Sequence, residues 1–312
     1  MSNKQQTDSD RANTDSLGWG IINVSVCNLR VEGTYSAGMA SQALLGMPVE
    51  IVGKDDWLQV RTPDDYVTWV QPRSVHRVTR EQLSDWNRAP QVEVTAIYGF
   101  VYSQPDVHSP IVSDVAAANR LRLLATTDRF YEVGYPDGRH GYLSKTDGLP
   151  LDLWRRQLRQ DADSIIATGL SINGIPYMWG GMSTKGADCS GFVRITLLRH
   201  DIIIPRDAWQ MAEKGQHLDI APDFSNLVPG DLVFFGRKAT DEEPAHVSHV
   251  GIYLGQQRFI HSLGWVHVSS FNPADEEYDE YDLNRLLWAQ RILPYINKEE
   301  GLLTTEQSAY YK

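Results

Sequence analysis

Cys189 is the residue of this sequence best placed to act as a nucleophile. It lies where a glycine-rich segment, YMWGGMSTKGADCSG, gives way to the helical pattern FVRITLLRHD. A thiol at a helix N-terminus faces the positive end of the helix dipole, which favours the thiolate and lowers its pKa. A free cysteine is also commonly a small buried apolar residue, so Cys189 by itself leaves both interpretations open.

Two histidines offer a base and a group to orient it. His249 and His261 lie on consecutive predicted strands, HVGIYLG and QRFIHS. A base that takes the thiol proton, itself held by a third polar group, activates a cysteine nucleophile. A lone strand histidine is more often structural, but the combination with Cys189 favours catalysis. His246 is a competing base, and because strand residues three apart face opposite sides, His246 and His249 should not both face the site.

Three regions would position these residues. Residues 149-295 begin with apolar residues at helical spacing and continue into a run of strands, which predicts an α+β domain. Residues 18-78 and 91-148 each show short alternating apolar runs broken by Gly, Pro and Asp, and their order of strands and turns matches, which predicts two tandem all-β units. Residues 79-90 between them predict a helical linker.

The two ends of the chain predict tails. Residues 1-17 are rich in Ser, Asp, Asn and Gln, and their burial could not repay the entropy of ordering, so we expect a disordered tail. Residues 296-312 are interpreted as a C-terminal surface tail.

Composition excludes several classes of protein. The chain has 312 residues, enough for two or three domains, and its 42% hydrophobic and 22% charged residues are typical of globular proteins. The net charge of −11 does not support a phosphate-binding surface, so we expect no nucleic-acid partner. With no run of about 20 apolar residues, we expect no membrane span.

The start of the chain and its cysteines bear on the compartment. The polar start predicts no signal peptide. We expect a cytoplasmic protein if Met1 is the native start, and one of the periplasm or cell envelope if an export signal was removed. Cys27 and Cys189 are too few for a disulfide framework, and Cys27 reads as a buried strand residue.

Cofactor motifs are missing from the sequence. There is no nucleotide-binding glycine loop, no CxxC pair and no HExxH, so we predict no cofactor and no metal. The acidic cluster DEEYDEYD at 275-282 lacks the spacing of an EF-hand and is interpreted as a solvated loop.

The motifs DCSGF, HVGIYLG and FIHS, in this order over roughly residues 150-295, resemble the NlpC/P60 cysteine peptidases. These are papain-like hydrolases that cut the peptide stems of bacterial peptidoglycan. The resemblance implies that Cys189 attacks the scissile carbonyl, His249 accepts and returns the proton, and His261 orients His249. It also implies that Tyr177, in PYMWGG, helps to stabilise the oxyanion, although an aromatic core residue is the alternative.

The two β units resemble bacterial SH3-like barrels, so the fold class is multidomain, with two such barrels before an α+β papain-like domain. This order resembles γ-D-glutamyl-L-diamino acid endopeptidases of the dipeptidyl-peptidase VI type, which require a free N-terminal L-Ala on a murein peptide. Asp188 is placed to pair with that amine, or alternatively to cap the helix that Cys189 begins. We expect a monomer.

The resemblance implies a set of substrate contacts and also shows departures. Ala208 stands where serine is usual, and Met47 stands where an acidic residue is often found. Trp179 could form a pocket wall or pack against a barrel. The implied substrate-binding residues are Asp188, Ser190, Trp179, Tyr66, Arg206 and Asp207.

Two other functions stay open from the sequence. One is a catalytically inactive protein that binds the cell wall through its barrels, and the intact set of Cys189, His249 and His261 argues against it. The other is a papain-like acyltransferase, which would use the same thiol chemistry.

Overall fold

The computed structural model describes residues 16–312, so the tail predicted for residues 1-17 lies almost entirely outside the described residues. The first sheet is antiparallel and has the order β3-β2-β6-β5-β4-β1-β7. Its strands alternate buried and partly exposed residues, as in β5 and β6, because one face covers an apolar core. They are β1 (Gly18–Ile22), β2 (Val26–Arg30), β3 (Met39–Leu44), β4 (Pro48–Lys54), β5 (Leu58–Arg61), β6 (Val67–Val70) and β7 (Val75–Val78), with a 3-10 turn at Pro72–Ser74.

The second sheet repeats the topology of the first, in the order β10-β9-β13-β12-β11-β8-β14. Each strand takes the place of the one seven earlier, so the tandem similarity of the sequence corresponds to two copies of one strand arrangement. Helix α1 (Arg80–Arg88) joins them and starts with a capping box between Thr79 and Gln82. The strands are β8 (Gln91–Val94), β9 (Tyr98–Tyr102), β10 (Ile111–Ala116), β11 (Arg120–Thr126), β12 (Phe130–Gly134), β13 (His140–Ser144) and β14 (Gly148–Pro150).

The remaining residues fold around the central sheet, an antiparallel sheet in the order β18-β23-β19-β20-β21-β22. The helices are α2 (Leu151–Gln157), α3 (Ala162–Leu170), α4 (Cys189–Leu198), α5 (Ala208–Met211) and α6 (Glu280–Arg285), with a 3-10 turn at Leu293–Tyr295. The strands are β15 (Met182–Ser183), β16 (Gly186–Ala187), β17 (Ile202–Ile203), β18 (Gln216–Leu218), β19 (Leu232–Arg237), β20 (His246–Gly255), β21 (Arg258–Leu263), β22 (Trp265–Ser270), β23 (Leu286–Arg291) and β24 (Leu303–Thr304). Helix α4 is buried along its whole length against β20 and β21. No helix within residues 16–312 is long and apolar enough to cross a bilayer.

The C-terminal residues are packed, so the prediction of a surface tail at 296-312 was wrong. Strand β24 pairs with β17, and Leu302 and Thr305 are fully buried. A final 3-10 turn, Ala309–Tyr311, brings the ring of Tyr311 to 5.2 Å from the guanidinium of Arg120. The segment contains apolar and aromatic residues without helical or strand periodicity, and the surfaces that cover them exist only in the folded chain.

Arg120 on β11 links the second sheet to residues that fold around the central sheet, through a buried ionic cluster. Its Nε donates to Glu93 at 2.7 Å and its Nη2 donates to Asp201 at 2.9 Å. All three side chains are almost completely buried, and Nη1 donates to Thr305 at 3.0 Å. Such a cluster is costly to break, because removing one partner leaves a buried charge, and it therefore holds these parts of the chain in one arrangement.

Candidate active site

Asp188 caps the helix that carries the nucleophile. It is the N-cap of α4, and its carboxylate accepts hydrogen bonds from the backbone N–H of Gly191 at 2.7 Å and of Gly180 at 2.9 Å. The cap places Cys189 as the first residue of α4, with its Sγ beside the backbone N–H of Val250 on β20. The capping role considered from the sequence is thus present in the structure, and a contact of Asp188 with substrate stays a prediction.

The glycine after the nucleophile is required by close packing. A Cβ atom added to Gly191 would lie 1.8 Å from the carbonyl oxygen of Gly181, because the start of α4 touches the glycine-rich segment directly. The carbonyl oxygen of Gly181 is a backbone atom, which cannot move aside as the end of a flexible side chain would.

We expect Gly191→Ala to displace the first turn of α4 and with it Cys189. Overpacking of this kind costs about 1–3 kcal/mol, and a displacement of about 1 Å at a reacting atom costs about 10²-fold in rate. Urea unfolding and peptide hydrolysis measure the two effects. Gly38→Ala is the matched control, because an added Cβ there meets only Val31, at 4.0 Å. Full activity in Gly191→Ala would contradict the packing argument.

The two predicted histidines meet across neighbouring strands. His249 on β20 and His261 on β21 are both buried, and His249 Nε2 lies 2.8 Å from His261 Nδ1. Because Nε2 of His249 faces His261, Nδ1 is the ring nitrogen available to the thiol of Cys189. His246 is exposed at the start of β20, so the structure separates it from this pair.

Burial sets the protonation of the site. It raises the pKa of Cys189 to about 12, with a further contribution from the Asp188 carboxylate, and lowers the pKa of His249 to about 3, with a contribution from Arg285. The thiol and the imidazole are therefore both neutral near pH 7. The backbone N–H of Ser190 at the start of α4 lowers the pKa of Cys189, as the sequence predicts, but desolvation of the buried thiol raises it by more.

A hydrogen-bonded chain continues behind the histidine pair. His261 Nε2 lies 3.1 Å from Ser269 Oγ and 3.1 Å from His267 Nε2, and Ser269 Oγ donates to Asp279 at 3.2 Å. His249 can accept a proton at Nδ1 only if its Nε2 carries the hydrogen, which it then donates to His261 Nδ1. His261 in turn carries its hydrogen on Nε2, toward Ser269.

Sequence reasoning missed Asp282, which belongs to the acidic cluster 275-282 interpreted as a solvated loop. Helix α6 buries Asp282 completely, with Oδ2 3.4 Å from His261 Nδ1 and 4.0 Å from His249 Nε2. Its other oxygen, Oδ1, accepts from Arg285 Nη1 at 3.2 Å. The available signal was the helix-start pattern DEYD, in which Asp279 accepts from the backbone N–H of Asp282 and begins α6.

His249, His261 and Asp282 carry nitrogen and oxygen atoms within 4.8 Å of one another, the types of atom that bind Zn²⁺. The two nitrogens are hydrogen-bonded to each other, however, and their geometry is that of a proton-transfer pair. We therefore interpret these three side chains as a group for proton transfer at the site of Cys189.

Arg206 organises the predicted substrate-binding residues beside the nucleophile. Its guanidinium makes a two-pronged ion pair with Asp188, at 2.6 and 3.2 Å, and Nη1 donates to Ser190 Oγ at 2.7 Å. Arg206 is only 2% exposed. Its role in the structure is to neutralise and orient Asp188, so a direct contact with substrate is less accessible to it than to Asp207.

The first sheet reaches the site through Tyr66. The Tyr66 hydroxyl donates to Asp207 Oδ2 at 3.3 Å, and Asp207 is the N-cap of α5. Ala208 and Met47, the two departures from the family pattern, are buried at 8% and 7% exposure. These contacts place Tyr66 and Asp207 in one cluster with Arg206, next to the start of α4.

Tyr177 and Trp179 lie on the glycine-rich segment before α4. Burial raises the pKa of the Tyr177 phenol, and the charges of the nearby Cys189 and Asp188 raise it further, so it stays protonated as a donor. Its backbone N–H donates to Gly264 at 2.9 Å. Trp179 is 62% exposed, so the packing alternative for this residue is not what the structure shows.

A thiol at a helix start, beside a buried histidine pair on an antiparallel sheet, defines a papain-like cysteine peptidase. The NlpC/P60 family profile matches residues 174–286, and that of the bacterial dipeptidyl-peptidase SH3 domain matches residues 29–75. The chain belongs to the NlpC/P60 family of cysteine peptidases.

Relatives of the chain share most of its length. A γ-D-glutamyl-L-lysine dipeptidyl-peptidase of Bacillus cereus is 33% identical over 73% of this chain and 68% of its own. Dipeptidyl-peptidase 6 of Lysinibacillus sphaericus is 28% identical over 84% of this chain and 93% of its own. The crystal structure of an NlpC/P60 family protein from Bacillus cereus superposes with a TM-score of 0.72, at 25% identity, covering 89% of this chain and all of that one.

Proposed function

We propose that this peptidase hydrolyses the bond between γ-D-Glu and a diamino acid, meso-diaminopimelate or Lys, in murein peptides that have a free N-terminal L-Ala. The proposal places it in cell-wall turnover or recycling. The names of the two relatives that share most of its length support this substrate class. The proposed active form is a monomer.

The observation that carries the proposal is the contact of the first sheet with the catalytic region. Tyr66 reaches Asp207 beside the Arg206–Asp188 pair, and we propose on this contact that the first sheet closes one end of the substrate cleft near Cys189. A bounded cleft suits the end of a short peptide better than an intact wall polymer.

Asp207 is the carboxylate best suited to receive an amino terminus. Asp188 already accepts from Arg206 and from two backbone N–H groups, whereas Asp207 is half-buried and is hydrogen-bonded to the neutral Tyr66 hydroxyl. Burial raises the pKa of Asp207, which Arg206 partly offsets, so a bound ammonium group would stabilise its ionised form. This shifts amine recognition from Asp188, expected from the sequence, to Asp207.

The reaction follows from the positions of the donors and acceptors. Cys189 attacks the γ-carbonyl carbon as its proton passes to His249 Nδ1, and the Tyr177 phenol stabilises the oxyanion. His249 then returns the proton to the leaving amine, which frees the diamino acid and leaves a thioester. Water, deprotonated by His249, hydrolyses the thioester and restores the thiol.

Incubation with L-Ala-γ-D-Glu-meso-diaminopimelate, followed by mass spectrometry, tests the reaction. We expect release of L-Ala-γ-D-Glu. Failure to cleave this peptide, its Lys counterpart and other murein peptides would contradict the proposed substrate class.

Acetylation of the peptide's amino terminus is expected to lower kcat/KM about 30-fold or more. Losing one partner of a desolvated charge pair costs about 2 kcal/mol or more. In Asp207→Asn the free and acetylated peptides should differ much less, because the carboxylate that distinguishes them is gone. Amidation of the peptide's far carboxyl end is the control modification. Equal turnover of free and acetylated peptides by the unmodified enzyme would show that the amine is not recognised.

A further inference from the structure

Asp282 has a buried oxygen that the fold does not use. The side chain is fully buried in α6, and Oδ1 accepts from Arg285. Oδ2 has no hydrogen-bond partner among residues 16–312. A buried carboxylate oxygen without a partner is costly, which is why nearly all buried polar atoms are paired. This oxygen therefore calls for an explanation other than stability.

Oδ2 points at the histidine pair. It lies 3.4 Å from His261 Nδ1 and 4.0 Å from His249 Nε2, the two nitrogens that are hydrogen-bonded to each other. It is thus within 4.0 Å of both ends of the bond along which a proton is shared. Asp279, the N-cap of α6, is one step more remote from the pair, because its hydrogen-bonded link to His261 runs through Ser269.

Charged groups around the histidine pair have opposite effects on the pKa of His249. Arg285 on α6 and His267 on β22 disfavour a positive charge on His249, and Asp188, at the start of α4, favours it. Asp282 lies between Arg285 and the histidines, paired with the guanidinium through one oxygen and facing the imidazoles with the other.

We propose that Asp282 is a positioning residue of the peptidase: its Oδ2 holds the His249–His261 pair and stabilises the positive charge on that pair when His249 takes the proton of the Cys189 thiol. This inference rests on the proposed cysteine-peptidase chemistry and assigns a fourth side chain to it.

The proton transfer shows why a carboxylate in this place matters. The S–H bond of Cys189 breaks and an N–H bond forms at His249 Nδ1, which leaves a thiolate and an imidazolium. If His249 passes its Nε2 hydrogen to His261 Nδ1, the positive charge moves to His261. In both states the charge lies within about 4 Å of Asp282, a distance at which an opposite charge shifts a pKa by about 1–3 units. Burial and Asp279 raise the pKa of Asp282 to about 6, with Arg285 opposing, so the carboxylate is charged above that pH.

The test measures the reactivity of Cys189 without any substrate. The full chain is alkylated with iodoacetamide from pH 5 to 10, and modification of Cys189 is followed by peptide mass spectrometry, which separates it from Cys27. In Asp282→Asn we expect the rising limb of the rate profile to move up by about 1 pH unit or more, so that alkylation at pH 7 slows about tenfold. This readout does not depend on which peptide the enzyme cleaves, so it stands even if the proposed murein substrate is wrong.

Three variants separate positioning from a structural role. Glu280→Gln removes the same charge from an exposed position of α6 and should leave the profile unchanged. Asp282→Glu keeps the charge and should recover part of the shift. Arg285→Gln removes the opposing cation and should move the rising limb of the profile to lower pH, opposite to Asp282→Asn. This last variant also tests the proposal if Asp282→Asn does not fold. A profile unchanged in Asp282→Asn, or a shift in the same direction in Arg285→Gln, would overturn it.

Discussion

Replacing Cys189 with alanine is expected to abolish peptide hydrolysis, with a fall in kcat of at least about 10³-fold. The thiol is the only group at the start of α4 that can form the covalent intermediate, and no neighbouring hydroxyl can replace it, because Ser190 is held by Arg206. The measurement is release of L-Ala-γ-D-Glu under single-turnover conditions. The substitution removes only the sulfur atom, so we expect the free energy of unfolding to change far less than the activity does.

Cys27→Ala is the matched control for this prediction. Cys27 is also a buried free cysteine, 3% exposed, but it lies in β2 of the first sheet. Activity should be retained in this variant, apart from a small loss of stability from the cavity. Hydrolysis by Cys189→Ala at a rate near that of the unmodified enzyme would contradict the whole assignment of the site.

Arg206→Met is expected to destabilise the protein by about 3–5 kcal/mol and to lower activity strongly. The substitution leaves the carboxylate of Asp188 buried without its ion-pair partner, and an uncompensated buried charge is among the most costly defects in a protein. The same carboxylate caps α4, so its displacement also moves Cys189. Urea unfolding monitored by fluorescence, together with peptide hydrolysis, measures both losses.

Two further variants test the cause of the loss. Asp188→Asn combined with Arg206→Met should recover part of the stability, because a neutral amide can still accept from the backbone N–H of Gly191 without a buried charge. Arg258→Met breaks a more exposed pair with Asp275, 42% and 19% exposed, and should cost about 1 kcal/mol or less. Equal losses in Arg206→Met and Arg258→Met would show that burial is not the reason.

The sequence predicted the fold class well, and it also predicted the helix and strands that carry Cys189, His249 and His261. Both predictions rest on local patterns. Alternating apolar runs predicted the two β units, and the change from glycine-rich segment to helix at Cys189 predicted the start of α4. His249 and His261 were placed on consecutive strands, and the structure pairs those strands.

The sequence-based predictions that were wrong concern the burial of polar residues. The acidic run at 275-282 reads as solvated because charged residues are mostly exposed, and Asp282 is buried only because α6 folds over the histidine pair. Likewise, residues 296-312 have no periodic pattern, and Thr305 and Tyr311 contact Asp201 and Arg120, which lie far away in the sequence.

Residue type and local spacing were therefore sufficient to identify a thiol nucleophile, a histidine base and the class of protein. The protonation of Cys189 and His249, the use of Asp188 as a cap neutralised by Arg206, and the place of Asp282 were decided by tertiary structure. The physical reason is that each depends on desolvation and on charges brought close from distant parts of the chain. Local sequence carries propensities, whereas the dielectric surroundings of a buried group arise only when the chain has folded.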